Sequence, residues 1–328
     1  MIMIFDQFSR YKACSDFLHQ TNFNIGDSVL DVGSGPDCLF GQFMQDAKMT
    51  YVDPLIPAGS GDGKLTGDIN TLELDNKTFD CVTAVDVLEH VPPEYRKGFL
   101  ERLTSLAKNI LILGFPTSDS TDALETDKII DEQYRNIFGQ DYPWLEEHYR
   151  YGLPSSKNTI EQLNKLGWYC QTVGHGHAPW LRQLLGVLVC IWDIPNLSGL
   201  VQSISEKFNQ ELYPYDFTPP YYREFIIASR YPLVQLKPPL DVVIDKEIEM
   251  TFQGILSEAY NQYFAISLQL LAQNNTNLKP LFKQIEDVSF WGKSLQASLI
   301  ERDALIEALS QQVGEESGWG RSLQATLN

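Results

Sequence analysis

A chain of 328 residues, 43% hydrophobic and 21% charged, has the composition of a soluble globular protein and the length for about two domains. Its 43 acids against 25 bases leave a net charge of −18, a field that repels phosphate backbones and argues against nucleic acid as a partner. The opening MIMIFDQFSR lacks the basic start and apolar core of a signal peptide, the longest uncharged apolar run (Leu184 to Trp192) is too short to span a bilayer, and Cys14, Cys38, Cys81, Cys170 and Cys190 form no C-x-x-C pair. A cytoplasmic protein without disulfide framework or zinc site is expected.

In chain order, Phe8, Tyr11, Phe17 and Leu18 fall at helical intervals and predict a first helix over Phe5 to Gln20, ended by Gly26 and Asp27. Val29 to Val32 is a short apolar run interrupted by Asp31, as in a strand covered on both faces. Gly33 and Gly35 then allow a sharp turn with close backbone approach to a ligand, and Pro36 is expected to open a helix whose core face is Leu39, Phe40, Phe43 and Met44. The second strand, AKMTYV, delivers Asp53 to the same crevice 18 residues after Gly35, where its carboxylate can accept both hydroxyls of a ribose. These features read as a nucleoside-cofactor site. The third glycine of the dinucleotide fingerprint is missing, since Cys38 stands in its place, so a nicotinamide cofactor is disfavoured.

A third, short strand ends in TGDIN at Asp68, and the fourth runs from Phe79 to Val85. Pro92 and Pro93 open a helix carrying Tyr95, Phe99, Leu100 and Leu103, and the fifth strand is Asn109 to Phe115. Residues 116–156 break the alternation and read as a substrate-side insertion, followed by the helix SSKNTIEQLNKLG with Ser155 or Ser156 as its cap. The sixth strand is Trp168 to Gly174. A second insertion over 175–220 contains a long apolar segment, read as a buried helix, and a further helix through Leu212, before YYREFIIASRY returns as the seventh strand.

Beyond Tyr231 the proline-bearing YPLVQLKPPLD reads as a linker, and residues 232–328 as helical. From Leu281 apolar residues recur at four- and three-residue steps, and WGKSLQASL at Trp291 repeats as WGRSLQATL at Trp319, an offset of 28 residues or four heptads. A coiled coil that joins copies of the chain is expected, and a chain stopping in mid-repeat suggests a piece of a longer protein.

Five blocks in order, DVGSGP at Asp31, VDP at Val52, GDI at Gly67, FDCVTAVDVLEHV at Phe79 and ILILGFP at Ile110, resemble class I S-adenosylmethionine-dependent methyltransferases over roughly the first 230 residues. The resemblance implies an α/β fold, a doubly wound, mostly parallel seven-stranded sheet with the last strand antiparallel, in a domain of residues 1–231. It implies S-adenosylmethionine as cofactor, held by Asp31, Gly33, Gly35, Asp53 and Asp86, with Asp68 and Ile69 near the adenine. One departure is Asp37, where the family often has a further glycine.

Methyl transfer to a hydroxyl requires the acceptor to be held in line and to lose a proton. Asp86, Glu89 and His90 in DVLEH, with His148 in EEHYRYGLP, are the candidates, and His90 is the natural base because its ordinary pKa lies near neutrality. The Asp-x-x-Glu-His segment also resembles the magnesium-binding stretch of some O-methyltransferases, with His148, His175 or His177 as a further ligand; magnesium is not favoured, because metal-free relatives share that stretch. The acceptor expected is a glycan or lipid-linked sugar of surface polysaccharide biosynthesis, by analogy with coiled-coil methyltransferases that cap growing chains, so that any membrane association would be peripheral and through a partner. The alternatives are a small-molecule methyltransferase acting on a quinone precursor or secondary metabolite, which would need an apolar cleft lined by Trp180, Leu184 and Phe217, and an inactive coiled-coil scaffold.

Overall fold

The computed structural model describes residues 3–191, 197–238 and 242–274. The chain divides into two units, Met1–Tyr263 and Phe264–Asn328. Of the second only the end of a helix, up to Asn274, is described, and the expected coiled coil from Leu281 onward lies outside the described residues.

The first unit is built on one seven-stranded sheet: β1 Ser28–Val32, β2 Lys48–Asp53, β3 Lys64–Thr66, β4 Phe79–Val85, β5 Ala107–Pro116, β6 Tyr169–His177 and β7 Tyr221–Ser229. They lie in the order β3-β2-β1-β4-β5-β7-β6. The first five run parallel, and β7 is antiparallel to both β5 and β6. This is a Rossmann-like arrangement whose order reverses between β1 and β4, and ligands of such sheets bind at the carboxyl ends of the strands flanking that reversal.

Alternate strand residues feed two separate cores, which is why the strands read as near-continuous apolar runs. Leu30, Val32, Val82, Ala84, Leu111 and Leu113 face a layer holding α2 (Pro93–Leu106) and α5 (Ser156–Lys165). Val29, Cys81, Val85, Ile110 and Ile112 face α1 (Phe5–Leu18), through Tyr11, Cys14, Phe17 and Leu18. On α2 the residues Phe99, Leu100 and Leu103 are buried as expected, whereas Tyr95, in the first turn of the helix, is 64% exposed.

Three elements differ from the sequence reading. The segment after the glycine turn forms only a 3-10 turn, Leu39–Phe43, in place of the α-helix expected from Pro36; Cys38 stands in a left-handed conformation (φ +53°) that interrupts a right-handed helix, but Leu39, Phe40 and Met44 still fill the core. The sixth strand continues three residues further, through His177, because it pairs with β7 as far as Tyr221. The first insertion is mostly helical, with α3 (Thr121–Phe138) and α4 (Glu146–Tyr151). The second insertion forms α6 (Ala178–Leu188), which packs on α3, and α7 (Ser198–Glu211), which packs on α1. A last helix, α8 (Lys246–Asn274), stacks Phe252 on Trp180 at 5.0 Å, and its Glu249 carboxylate accepts the Trp180 indole N–H at 3.0 Å. No described helix is long and apolar enough to cross a membrane.

Candidate active site

The crevice begins at the carboxyl end of β1. Gly33 and Gly35 both have φ in the left-handed region, +74° and +65°, which suits glycine. A Cβ on Gly33 would lie 2.3 Å from Val87 Cγ2, so the loop after β4 packs where a side chain would otherwise stand. Val52 at the end of β2 accepts the Gly33 N–H at 2.8 Å, tying the turn to the neighbouring strand. Asp53 completes the cradle: one carboxylate oxygen accepts the Gly35 N–H at 2.8 Å and the other the Leu55 N–H at 2.7 Å. An ionised carboxylate has about four lone-pair sites, so Asp53 keeps capacity for two ligand hydroxyls.

Asp31, one strand residue before the turn, is 1% exposed. Thr83 donates to one of its oxygens at 3.0 Å, and the other is buried with no partner. Burial, with a smaller push from Asp53, raises its pKa to about 7, against the pull of Thr83 and Arg10. The sign of the resulting pH dependence follows from where the proton resides. The unfolded chain ionises near 3.8 while the folded one holds the proton to about 7, so stability falls as pH rises across that window. The span corresponds to about 4 kcal/mol as an upper limit. Urea denaturation at pH 5 and pH 7.5 should show this decline in the wild type and a flatter dependence in Asp31→Asn.

Asp68 lies just beyond β3, exposed, and accepts the Asn70 N–H in a turn at 2.9 Å, while the adjacent Ile69 is buried in the core. Asp86, at the end of β4, takes a left-handed conformation (φ +53°) that aspartate tolerates. Its carboxylate is committed to two guanidinium groups: Arg223 donates from Nε at 3.1 Å and from Nη2 at 2.8 Å, and Arg10 from Nη1 at 2.6 Å. Neither arginine stood out in the sequence, since one lies on α1 and the other on β7.

The turn after Asp86 is a 3-10 helix, Leu88–His90, and it meets α4. Arg96 of α2 holds the two segments together by donating to the carbonyls of Val91 at 2.9 Å and of Gly152. As a result Glu89, His90 and His148 converge, with one donor atom from each within 4.8 Å of the others and ring centroids of the two histidines 5.1 Å apart. Each imidazole is oriented by a carboxylate. His90 Nδ1–H donates to Glu147 at 2.8 Å, and His148 Nδ1–H donates to Asp127 at 2.8 Å. Asp127, fully buried on α3, also accepts the Tyr222 hydroxyl at 2.7 Å.

The electrostatics separate the three groups. Burial, then the neighbouring Asp86, raises the Glu89 carboxyl to about 8. Burial and His148 lower His90 below the usual imidazole value. Burial also pulls His148 down, but the Asp127 carboxylate outweighs it and leaves His148 raised. The two imidazoles are thereby shifted in opposite directions, His90 toward the free base and His148 toward the protonated form.

The remaining histidines raised by the sequence stand elsewhere. His175 is fully buried, bonded to Ser9 at 3.0 Å and facing Arg223, and His177 donates to the Thr218 carbonyl at 2.9 Å. Both serve the packing of β6 against the turn Tyr213–Phe217. A separate cleft of about 490 Å³ borders Arg223 and is lined by Thr117, Asp119, Ser120, Asp122, Lys157 and Tyr221 among others. Trp180, Leu184 and Phe217, the residues an apolar cleft would have used, are buried in the core at 1%, 0% and 6% exposure.

No family model matches the sequence, and no curated protein matches it. Solved structures of similar fold include a SAM-dependent methyltransferase from Archaeoglobus fulgidus, 16% identical, covering 62% of this chain and 86% of that one with a TM-score of 0.37. Another is magnesium protoporphyrin IX methyltransferase (ChlM) from Synechocystis PCC 6803 with bound SAH, 17% identical over 70% of this chain and 89% of that one, TM-score 0.41. A third is the [4+2]-cyclase SpnF, 11% identical over 69% and 81%, TM-score 0.44.

Proposed function

We propose that this chain transfers a methyl group from S-adenosylmethionine to a hydroxyl of a polar acceptor, a glycan or lipid-linked sugar. The observation that carries the reading is that one rim of the sheet holds both a nucleoside cradle after β1 and β2 and a proton-accepting cluster after β4. The cradle fits the cofactor in three respects. Gly33 and Gly35 allow close backbone approach, Asp53 has lone pairs for the ribose hydroxyls, and the unpartnered Asp31 oxygen suits a cationic group. The cofactor supplies a carbon already activated by sulfonium; His90, oriented by Glu147 and flanked by Glu89 and His148, takes the acceptor's proton. The burial of Trp180, Leu184 and Phe217 weighs against the apolar small-molecule alternative, which needed them to line a cleft. Self-association through the coiled coil that the sequence pattern leads one to expect from Leu281 onward belongs to the same reading.

Calorimetric titration with S-adenosylmethionine and with NAD tests the cofactor assignment. S-adenosylmethionine alone should bind, and Asp53→Ala should weaken it by about 10- to 100-fold, the worth of hydrogen bonds to a charged group. Tighter binding of NAD, or an unchanged affinity in the variant, would overturn the site.

A further inference from the structure

The cleft of about 490 Å³ lies where the N-terminal ends of α3 and α5 meet the outer strands β6 and β7, and its size is that of a small-ligand site, about 300–1,000 Å³. Thr117, directly after β5, builds one end of it: its Oγ1 accepts the N–H groups of Asp119 at 3.2 Å and of Ser156 at 3.3 Å. Asp119 accepts the Ser155 hydroxyl and the Lys157 N–H, both at 2.8 Å, and Asp122 accepts the Ser120 hydroxyl at 2.8 Å and Arg182 at 3.2 Å. Both aspartates are therefore committed to holding the helix starts. The first three N–H groups of α5 are taken by Thr117, Asp119 and Ser155, so that helix end offers no free donor to an anion.

Ser156 differs from these groups. It is 1% exposed and lines the cleft, yet its Oγ has no hydrogen-bond partner. A buried hydroxyl left unpaired is costly, and a ligand that pairs with it removes the cost. The lining also holds Glu224, half-buried, and the Tyr221 ring, packed so closely on β6 that a Cβ at Gly174 would lie 2.1 Å from it. Among the described residues none hydrogen-bonds the Glu224 carboxylate or the Tyr221 hydroxyl.

We infer that this cleft binds neutral sugar units of the acceptor next to the one that is methylated. The inference rests on the glycan reading above and assigns it a second contact surface. An ionised carboxylate can accept two sugar hydroxyls, and a serine hydroxyl both donates and accepts. Tyr221, with Ile160 and Pro220, supplies an apolar wall for the C–H face of a sugar ring beside those polar groups. The Arg223 guanidinium is committed to Asp6 and Asp86, so Lys157 stands against Glu224, Asp119 and Asp122, a balance that disfavours an anionic ligand. The start of β7 joins the cleft to the catalytic cluster: Tyr221 lines the former, the adjacent Tyr222 hydroxyl holds Asp127, and Asp127 accepts the His148 Nδ1–H.

The test needs no S-adenosylmethionine, so the cleft and the reaction can fail separately. Neutral mono-, di- and trisaccharides of hexoses and deoxyhexoses are titrated into the full chain by saturation-transfer NMR, with putrescine and inorganic phosphate as cationic and anionic probes. A trisaccharide should bind, and more tightly than its monosaccharides. Glu224→Gln should weaken that binding by about 10- to 100-fold, the worth of hydrogen bonds to a charged group. Ser156→Ala separates a ligand role from a structural one. Having no partner to lose, it should leave the urea midpoint of the free protein unchanged or raised while weakening sugar binding by about 2- to 10-fold. A wild type that binds none of the sugars, binding of putrescine or phosphate in their place, or unaltered affinity in folded Glu224→Gln and Ser156→Ala would each overturn the site. A chain that binds sugars through these residues and methylates none of them would keep the cleft and remove the proposed reaction.

Discussion

Replacing His90 by alanine is expected to lower kcat for methyl transfer by about 10²- to 10⁴-fold, the usual worth of a positioned base, with S-adenosylmethionine affinity changed less than about twofold. The separation follows from the geometry. His90 lies on the turn after β4, and its polar contact is Glu147 of α4, whereas the nucleoside cradle is made by the ends of β1 and β2. The side chain is partly exposed, so its removal should leave the fold intact. Transfer of labelled methyl groups to a panel of glycan acceptors, together with cofactor titration of the same variant, checks both halves. A matching loss in cofactor affinity would move His90 from the acceptor to the cradle. Glu147→Gln, which still accepts the Nδ1–H but removes its charge, should produce a smaller loss than His90→Ala; an equal loss would assign the contact more than orientation.

How far the site was readable depends on the kind of contact that makes it. The glycine turn and Asp53 are local: a strand, two glycines and an acid at the end of the next strand determine one another through neighbouring parallel strands, so spacing alone was informative. Glu89 and His90 were visible for the same reason, being the turn after β4. His148 was one candidate among several, because its approach depends on how an insertion folds. That insertion hid its main helix. On α3 the inward residues include Ala123, Thr126, Asp127, Ile130 and Asp131, a helical spacing in which polar groups replace apolar ones and mute the periodicity. The Ser120 cap and the left-handed Gly139 at its end were the signals available. Asp127 faces inward because it serves His148 and Tyr222, so the feature that obscured the helix is part of the site. Arg10 and Arg223 had no local signal at all, since they meet Asp86 from sequence separations of 76 and 137 residues.

That long-range ion network is where a single substitution should cost most in stability. Arg223 is 1% exposed, and its guanidinium donates to Asp6 at 2.9 Å as well as to both oxygens of Asp86. Arg223→Met preserves much of the stem volume but leaves two buried carboxylates with Arg10 as their shared cation. A destabilisation of about 3–5 kcal/mol is expected, the cost of breaking a buried pair from one side, and it should appear as a lower urea midpoint at unchanged slope. Asp86→Asn in the same chain should recover part of it, because the uncompensated charge is then gone and the two changes act on one network. The pH dependence gives an independent check. Burial alone would raise the Asp86 carboxyl, but Arg223 and then Arg10 outweigh it and hold its pKa at about 2. A depressed carboxylate stabilises the fold above its unfolded value of 3.8, and that contribution is lost as pH falls toward 2. The wild type should therefore lose stability between about pH 4 and pH 2 more steeply than Arg223→Met, in which the larger of the two guanidinium contributions is absent. Equal acid slopes, or a loss below about 1 kcal/mol at neutral pH, would mean that Arg10 alone satisfies Asp86 and that Arg223 contributes chiefly as packed hydrocarbon.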